Sequence, residues 1–220
     1  MEITSEVYQV GGEGFTSAQD AAIFLVTING QSLMVDCGCG HEEKSLLANI
    51  ESLGINPRQI NLLLITHCHY DHTGGAKSLK EKLGCKTVAH ELDAIYLEEG
   101  DNIVTAATWY DSTISPVKID RKLKKSKESI FVGGREISAI HIPGHSPGSV
   151  VYMMESDGKT IIFGQDVHGP LHPSLKSDES DYRKSLKKLI TLEPDVLCEG
   201  HYGIIEGKKP IIDFINSYLK

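Results

Sequence analysis

Thr66-His67-Cys68-His69-Tyr70-Asp71-His72-Thr73-Gly74-Gly75 is the stretch on which the reading of this chain turns. Ahead of it runs Ile60-Asn61-Leu62-Leu63-Leu64-Ile65-Thr66, a continuous apolar segment of the kind that forms a strand buried on both faces. Behind it, Gly75 to Leu83 has the pattern of a helix. The stretch therefore forms the loop at a strand's C-terminal end, where open α/β architectures tend to place ligands. In extended backbone His67 and His69 point to one side and Cys68 to the other. Two imidazoles so placed can grip one metal ion. Asp71 and His72, where the chain turns into the helix, can face a second. Imidazole with a single carboxylate suits zinc, iron or manganese, whereas calcium and magnesium prefer oxygen-rich sites. A solitary histidine is ordinarily a surface or core residue. Three histidines and an aspartate within six residues are not explained that way, because unpaired buried polar groups are costly.

The flanking sequence alternates short apolar runs with amphipathic segments. Ala21 to Ile28 and Gln31 to Asp36 flank Asn29-Gly30 and read as a β-hairpin. Leu46, Leu47, Ile50 and Leu53 share one stripe of a helix that Gly54 stops. Lys86 to His90, Glu136 to Ile142, Ser149 to Met154 and Thr160 to Gly164 read as strands, with an Asp157-Gly158 turn joining the last two. A helix over Ser180 to Leu192, a short strand over Asp195 to Glu199 and a closing helix from Pro210 to Leu219 follow. Hairpins and β–α units occur in both halves, which predicts two sheets covered on the outside by helices, in one domain over residues 1–220. Gly100 to Ser129 is the least regular part, and its basic run from Arg121 to Lys127 reads as solvated surface.

Composition sets the outer bounds. The chain has 220 residues, 40% hydrophobic and 24% charged, as in a folded globular protein. Its 22 Lys and Arg against 30 Asp and Glu leave a net charge of −8, which argues against nucleic acid as the main partner. No apolar run approaches the ~20 residues of a membrane span, and the first residues lack the pattern of a secretory signal. The expectations are a cytoplasmic protein with no membrane partner; a homo-oligomer is compatible with the sequence. The 5 cysteines, Cys37, Cys39, Cys68, Cys85 and Cys198, read as reduced thiols.

His-x-His-x-Asp-His after a buried strand resembles the signature of the metallo-β-lactamase superfamily of metallohydrolases. Pro143-Gly144-His145-Ser146-Pro147-Gly148-Ser149, Ile161-Ile162-Phe163-Gly164-Gln165-Asp166 and Glu199-Gly200-His201-Tyr202-Gly203 resemble its later motifs, in order. The resemblance covers Tyr8 to about Gly207. It implies a four-layered αββα sandwich and a pair of divalent metal ions, zinc first, with iron or manganese as alternatives. By position, it implies that His67, His69 and His145 hold one ion, that Asp71, His72 and His201 hold the other, and that Asp166 bridges them. Two divalent ions less two carboxylates and one hydroxide leave positive charge to polarise a substrate oxygen and to lower the pKa of bound water toward ~7. Asp71 is the catalytic candidate for taking up the hydroxide proton. Asp36 matches the family's Asp-x-Gly strand end, either as outer-shell support of the metal loop or as an aspartate bonding turn amides. His168 and His172, just past Asp166, and Tyr202, beside His201, are candidates for lining the substrate cleft. His41, His90 and His141 have no constellation around them and read as structural.

The implied function is hydrolysis of a small-molecule ester, thioester, lactone or phosphoester. Asp166 stands apart from β-lactamases with a cysteine ligand, which argues against antibiotic hydrolysis. The chain runs only about twenty residues past His201, short of the glutathione-gripping helical domain of glyoxalase II. Val167-His168-Gly169 lacks the tyrosine of the superfamily's lactonases, and the basic cleft of its nucleases is missing. The enzymatic alternative is a persulfide dioxygenase, which holds one iron with two histidines and an aspartate on the same scaffold. The other alternative is a non-catalytic binding protein. Retention of the full ligand set speaks against that, since clustered titratable groups usually mark functional sites.

Overall fold

Strand pairing follows the chain closely. In a computed structural model, which describes residues 1–164 and 166–219, β1 (Glu2–Thr4), β2 (Val7–Gly11), β3 (Ile23–Ile28), β4 (Gln31–Val35), β5 (Ile60–Leu64), β6 (Lys86–His90) and β7 (Arg121–Leu123) form one sheet in that order. The second sheet contains β8 (Lys127–Val132), β9 (Arg135–His141), β10 (Val150–Ser156), β11 (Lys159–Phe163), β12 (Val196–Glu199) and β13 (Gly203–Glu206). Gln165, inside the quoted strand-end motif, and Lys220 lie outside the described residues. Parallel neighbours need a crossover. α1 (Glu43–Ser52) links β4 to β5; α2 (Tyr70–Thr73) and α3 (Ala76–Leu83) link β5 to β6. α4 (Glu91–Glu99) lies between β6 and β7, and α5 (Glu179–Thr191) between β11 and β12. α6 (Lys208–Ser217) closes the chain.

The period-2 alternation of the strands explains the layering. Phe24 and Val26 of β3 face inward with Leu64, Tyr152 and Phe163, and the rings of Phe24 and Phe163 lie 5.5 Å apart. Leu25 of β3 and Leu63 of β5 face outward against Leu46 and Ile50 of α1, Leu79 of α3 and Leu97 of α4. On the other outer face, Val151 and Ile162 pack against Leu186 and Leu189 of α5 and Ile211 and Ile215 of α6. Helix, sheet, sheet, helix is the αββα sandwich. The hairpin pairs Ile28 with Gln31 across Asn29 (φ 49°) and Gly30 (φ 76°), the left-handed pair that a tight two-residue turn requires.

The basic run from Arg121 to Lys127 is mostly exposed, but it is not plain loop: it contains β7 and the start of β8, each at the edge of its sheet. Charge there discourages edge-to-edge pairing. The expected double-sided burial of β5 holds only from Leu63 onward, since Asn61 is exposed and Leu62 half-buried. Where β5 ends, Val150 N–H donates to the Thr66 carbonyl at 2.8 Å and Tyr152 Oη donates to the Ile65 carbonyl at 2.8 Å. The loops after β5, before β10, after β11 and after β12 converge there.

Candidate metal centre

Each loop is locked before it presents a side chain. After β4, Asp36 adopts a left-handed backbone (φ 59°), and its carboxylate accepts from Thr66 N–H at 2.9 Å and Thr66 Oγ1 at 2.7 Å. It also lies 2.7 Å from His72 Nδ1, so that nitrogen holds its proton and Nε2 is the atom that can give one up to a cation. Thr66 Oγ1, whose own proton goes to Asp36, lies 3.1 Å from His67 Nδ1 and leaves His67 Nε2 free. His145 Nδ1 faces the Pro170 carbonyl at 3.0 Å. Gly144, before it, has φ 132°, and a Cβ there would strike the Tyr182 backbone.

The freed atoms converge as two clusters. His67 Nε2 is 3.0 Å from His69 Nδ1 and 3.2 Å from His145 Nε2, and Asp166 Oδ2 is 3.5 Å from the latter. Asp166 Oδ1 lies 3.0 Å from His72 Nε2 and 3.4 Å from His201 Nε2, while Asp71 Oδ2 lies 3.0 Å from His201 Nε2 and 3.7 Å from His72 Nε2. Four ligands placed tetrahedrally at zinc distances would sit about 3.4 Å apart, so both clusters have the dimensions of a metal shell. His72 Nε2 and Asp166 Oδ1 approach at an angle that makes no hydrogen bond, and His69 Nε2 is a third orphan in the site. Buried polar atoms rarely go without partners. His72 Nε2 and Asp166 Oδ1, 3.0 Å apart with no hydrogen-bond partner, fit a cation between them. The chemistry of the donors, imidazole with carboxylate, suits zinc, iron or manganese.

Electrostatics separate the clusters. Burial, then the neighbouring histidines, push His67 well below the ordinary imidazole value; burial and His145 push His69 down to about 3. Burial also opposes the charged form of His72, yet Asp166, Asp71 and Asp36 outweigh it and raise its pKa well above the usual value. His201 is raised to about 10 by Asp166 and Asp71 despite its burial. Asp166 and Asp71 are held low by those histidines against the opposing effect of burial.

The structure thus brings together all seven residues expected as ligands, with Asp36 behind His72. His168 lines the cleft over the clusters, its Nδ1 3.0 Å from Glu199 Oε1. His172 stands at the rim, ring to ring with Trp109 at 5.6 Å, while Tyr202 is exposed on the far side of His201. His90 and His141 stack on each other at 3.9 Å, and His41 lies 3.4 Å from Tyr70 Oη, away from both clusters.

Several contributors were not anticipated. Asp93 of α4, fully buried, accepts from Cys68 N–H (2.9 Å), Ser146 Oγ (2.6 Å) and Gly148 N–H (2.7 Å), clasping two of the ligand loops. Glu199, also fully buried, accepts from the backbone N–H of His201 at 2.7 Å and of Tyr202 at 2.9 Å. Tyr110, on a short 3-10 turn after α4, lines the cleft with Asp71; burial, then that carboxylate, push its hydroxyl pKa up. Only Glu199, two residues before His201 in the motif, stood beside a sequence signal; Asp93 and Tyr110 had none.

The family model described as the Metallo-beta-lactamase superfamily matches residues 18–201. The chain is 27% identical, over 98% of its own length and 84% of the relative's, to a Gallus gallus protein named acyl-coenzyme A thioesterase MBLAC2. It is 27% identical to the Haemophilus influenzae hydroxyacylglutathione hydrolase GloC, over 81% of this chain and 85% of that one. Among solved structures, BJP-1, a subclass B3 metallo-beta-lactamase of Bradyrhizobium japonicum, superposes with a TM-score of 0.80 at 22% identity, covering 99% of this chain and 89% of the other. A Cronobacter sakazakii metallo-beta-lactamase mutant gives 0.81 at 21%, covering 99% and 92%. At such identities the structures speak to the fold alone.

Proposed function

The chain belongs to the metallo-beta-lactamase superfamily of metal-dependent hydrolases, and on that premise we propose that it is a dinuclear hydrolase acting on a small thioester or ester. The observation that carries this reading is Asp166, whose Oδ2 faces the three-histidine cluster while its Oδ1 faces His72 and His201. His67, His69 and His145 would hold one ion, Asp71, His72 and His201 the other, with Asp166 between. Two divalent ions bound there supply Lewis-acid polarisation of an acyl carbonyl and a hydroxide nucleophile at neutral pH.

The chain's own groups do the rest. A carboxylate oxygen of Asp71, beside Tyr110 in the cleft, takes the proton from the attacking water and returns it to the departing sulfur or oxygen. The acyl carbon gains a bond to oxygen as its bond to the leaving atom breaks, giving an acid and a thiol or alcohol. Asp36 and Thr66 hold His72 and His67 in the tautomers that present Nε2. Thioesters rank first because the two named relatives are a thioesterase and a hydroxyacylglutathione hydrolase. The chain spans 85% of the latter, so the expected lack of a helical glutathione domain does not by itself remove glutathione thioesters. The single-iron dioxygenase would make no use of the second cluster of Asp71, His72 and His201.

Metal analysis of protein purified without added metal, paired with a panel of thioesters, esters, lactones and phosphoesters, tests the proposal. Close to two zinc or manganese ions per chain with thioester turnover is the expected result. One iron per chain, hydrolytic silence and oxygen uptake with a persulfide would overturn it.

A further inference from the structure

His201 stands between two recesses of different character. On one side, a cleft of about 190 Å³ reaches from His69 and Asp166 to Ala106, Trp109, Tyr110, Pro170 and Leu175. Its wall beyond the clusters is aromatic and aliphatic, with Trp109 half exposed at the mouth and backed by His172. On the other side, a recess of about 320 Å³ is bounded by Gln9, Glu13, Phe15, Asp20 and Tyr202. Asp20 is engaged with Thr16 Oγ1 at 2.7 Å and Cys39 N–H at 2.8 Å, whereas Glu13 is exposed. Among the described residues, no lysine or arginine lines either recess.

We propose that the two recesses divide the substrate: the acyl group lies against Trp109, Tyr110, Pro170 and Leu175, and the leaving group extends past His201 beside Gln9, Glu13 and Tyr202. This rests on the hydrolase reading above. The first cleft is the smaller of the two, and its far wall is closed by Trp109, Tyr110, Pro170 and Leu175. The ions and nucleophile take part of it, so the acyl group it accepts is short. Beyond His201, whose Nε2 faces the clusters, the second recess carries the carboxylates of Glu13 and Asp20 and no lysine or arginine. It accepts an uncharged, amide-bearing arm, such as the pantetheine arm of coenzyme A, and offers no lysine or arginine to the two terminal carboxylates of glutathione. Like charge brought together across a partly desolvated surface is penalised and is sensitive to salt.

The test compares kcat/KM of the metal-loaded protein for S-butyryl-N-acetylcysteamine, butyryl-coenzyme A and S-butyrylglutathione at low and high salt. The N-acetylcysteamine thioester should exceed the glutathione thioester by about tenfold at low salt, with the gap narrowing at high salt and in Glu13→Gln. Butyryl-coenzyme A keeping pace places the recognised part in the amide arm; its failing tenfold behind the short thioester restricts the site to small neutral thiols, and either result upholds the division. Lengthening the acyl chain should raise kcat/KM by about fourfold per methylene up to about four carbons and no further, a rise that Trp109→Ala flattens. A preference for S-butyrylglutathione, or a rise that continues to decanoyl, overturns the division while leaving the hydrolase standing. Silence toward every thioester with both ions bound overturns the thioesterase reading and the division with it.

Discussion

The two donor clusters share Asp166 yet are built on opposite electrostatic plans. His67, His69 and His145 are buried imidazoles whose nearest ionisable neighbours are largely one another, and His67 and His69 are pushed toward the neutral form. At His67 and His69 that cluster resists the charged form. His72 and His201 sit against carboxylates that favour their charged forms, and the His201 side chain is 32% exposed. Without metal, protons on these two rings supply the positive charge the carboxylates need. A cation entering the first cluster meets no competitor; one entering the second must displace protons. Likeness of ligand type thus conceals a difference in what metal binding costs.

The largest expected effect comes from removing what the clusters share. Asp166→Ala should lower kcat/KM by about a thousandfold or more and bring metal content below two ions per chain, measured by hydrolysis assay and elemental analysis. Retained activity with both ions bound would break the bridging assignment. His69→Ala should remove most activity and the first ion, because no neighbouring residue can replace an imidazole in that position.

Next comes pH. A proton held on His201 up to about pH 10 in the metal-free protein must leave before Nε2 can bind a cation, so affinity at the second cluster rises as pH rises. The slope should be about tenfold per pH unit for each proton displaced, whereas the first cluster, with His69 neutral down to about 3, should change far less between about pH 6 and about pH 9. Calorimetric titration at several pH values resolves the two, and equal slopes would erase the distinction. Asp36→Asn, which weakens the hold on His72 Nδ1, should lower affinity at the second cluster by about ten- to a hundredfold and leave the first within a few-fold. The smallest effect belongs to Cys68→Ser. The Cys68 thiol sits in the outer core rather than in a cluster, so metal content and activity should persist with a stability loss of about 1–2 kcal/mol, read by denaturant titration.

The candidate ligands were legible because four of the seven lie within six residues and the others recur beside glycine-rich turns. The hairpin at Asn29-Gly30, α1, α3, β6 and β9 to β12 were legible from periodicity with turn residues at their ends. α4 was not: Leu92 and Ile95 on its surface are exposed while Asp93 is buried, which inverts the usual pattern of an amphipathic helix. β7 and β8 were hidden by the same lysines and arginines that protect a sheet edge. Trp109, Tyr110 and Asp93 owe their places to contacts between residues far apart in sequence, for which no local pattern exists.

Asp93 also bears on how the molecule assembles. Its three hydrogen-bond donors lie 25, 53 and 55 residues away, on a loop leaving the first sheet and a loop entering the second. Neither sheet alone can satisfy that carboxylate, which remains hydrated until the two halves meet and then loses its water and gains its donors together. The donor set at the sandwich edge is therefore complete only once the two halves are joined. A chain severed at the turn between β7 and β8 leaves His67 to His72 on one piece and His145, Asp166 and His201 on the other, and neither piece carries a complete cluster.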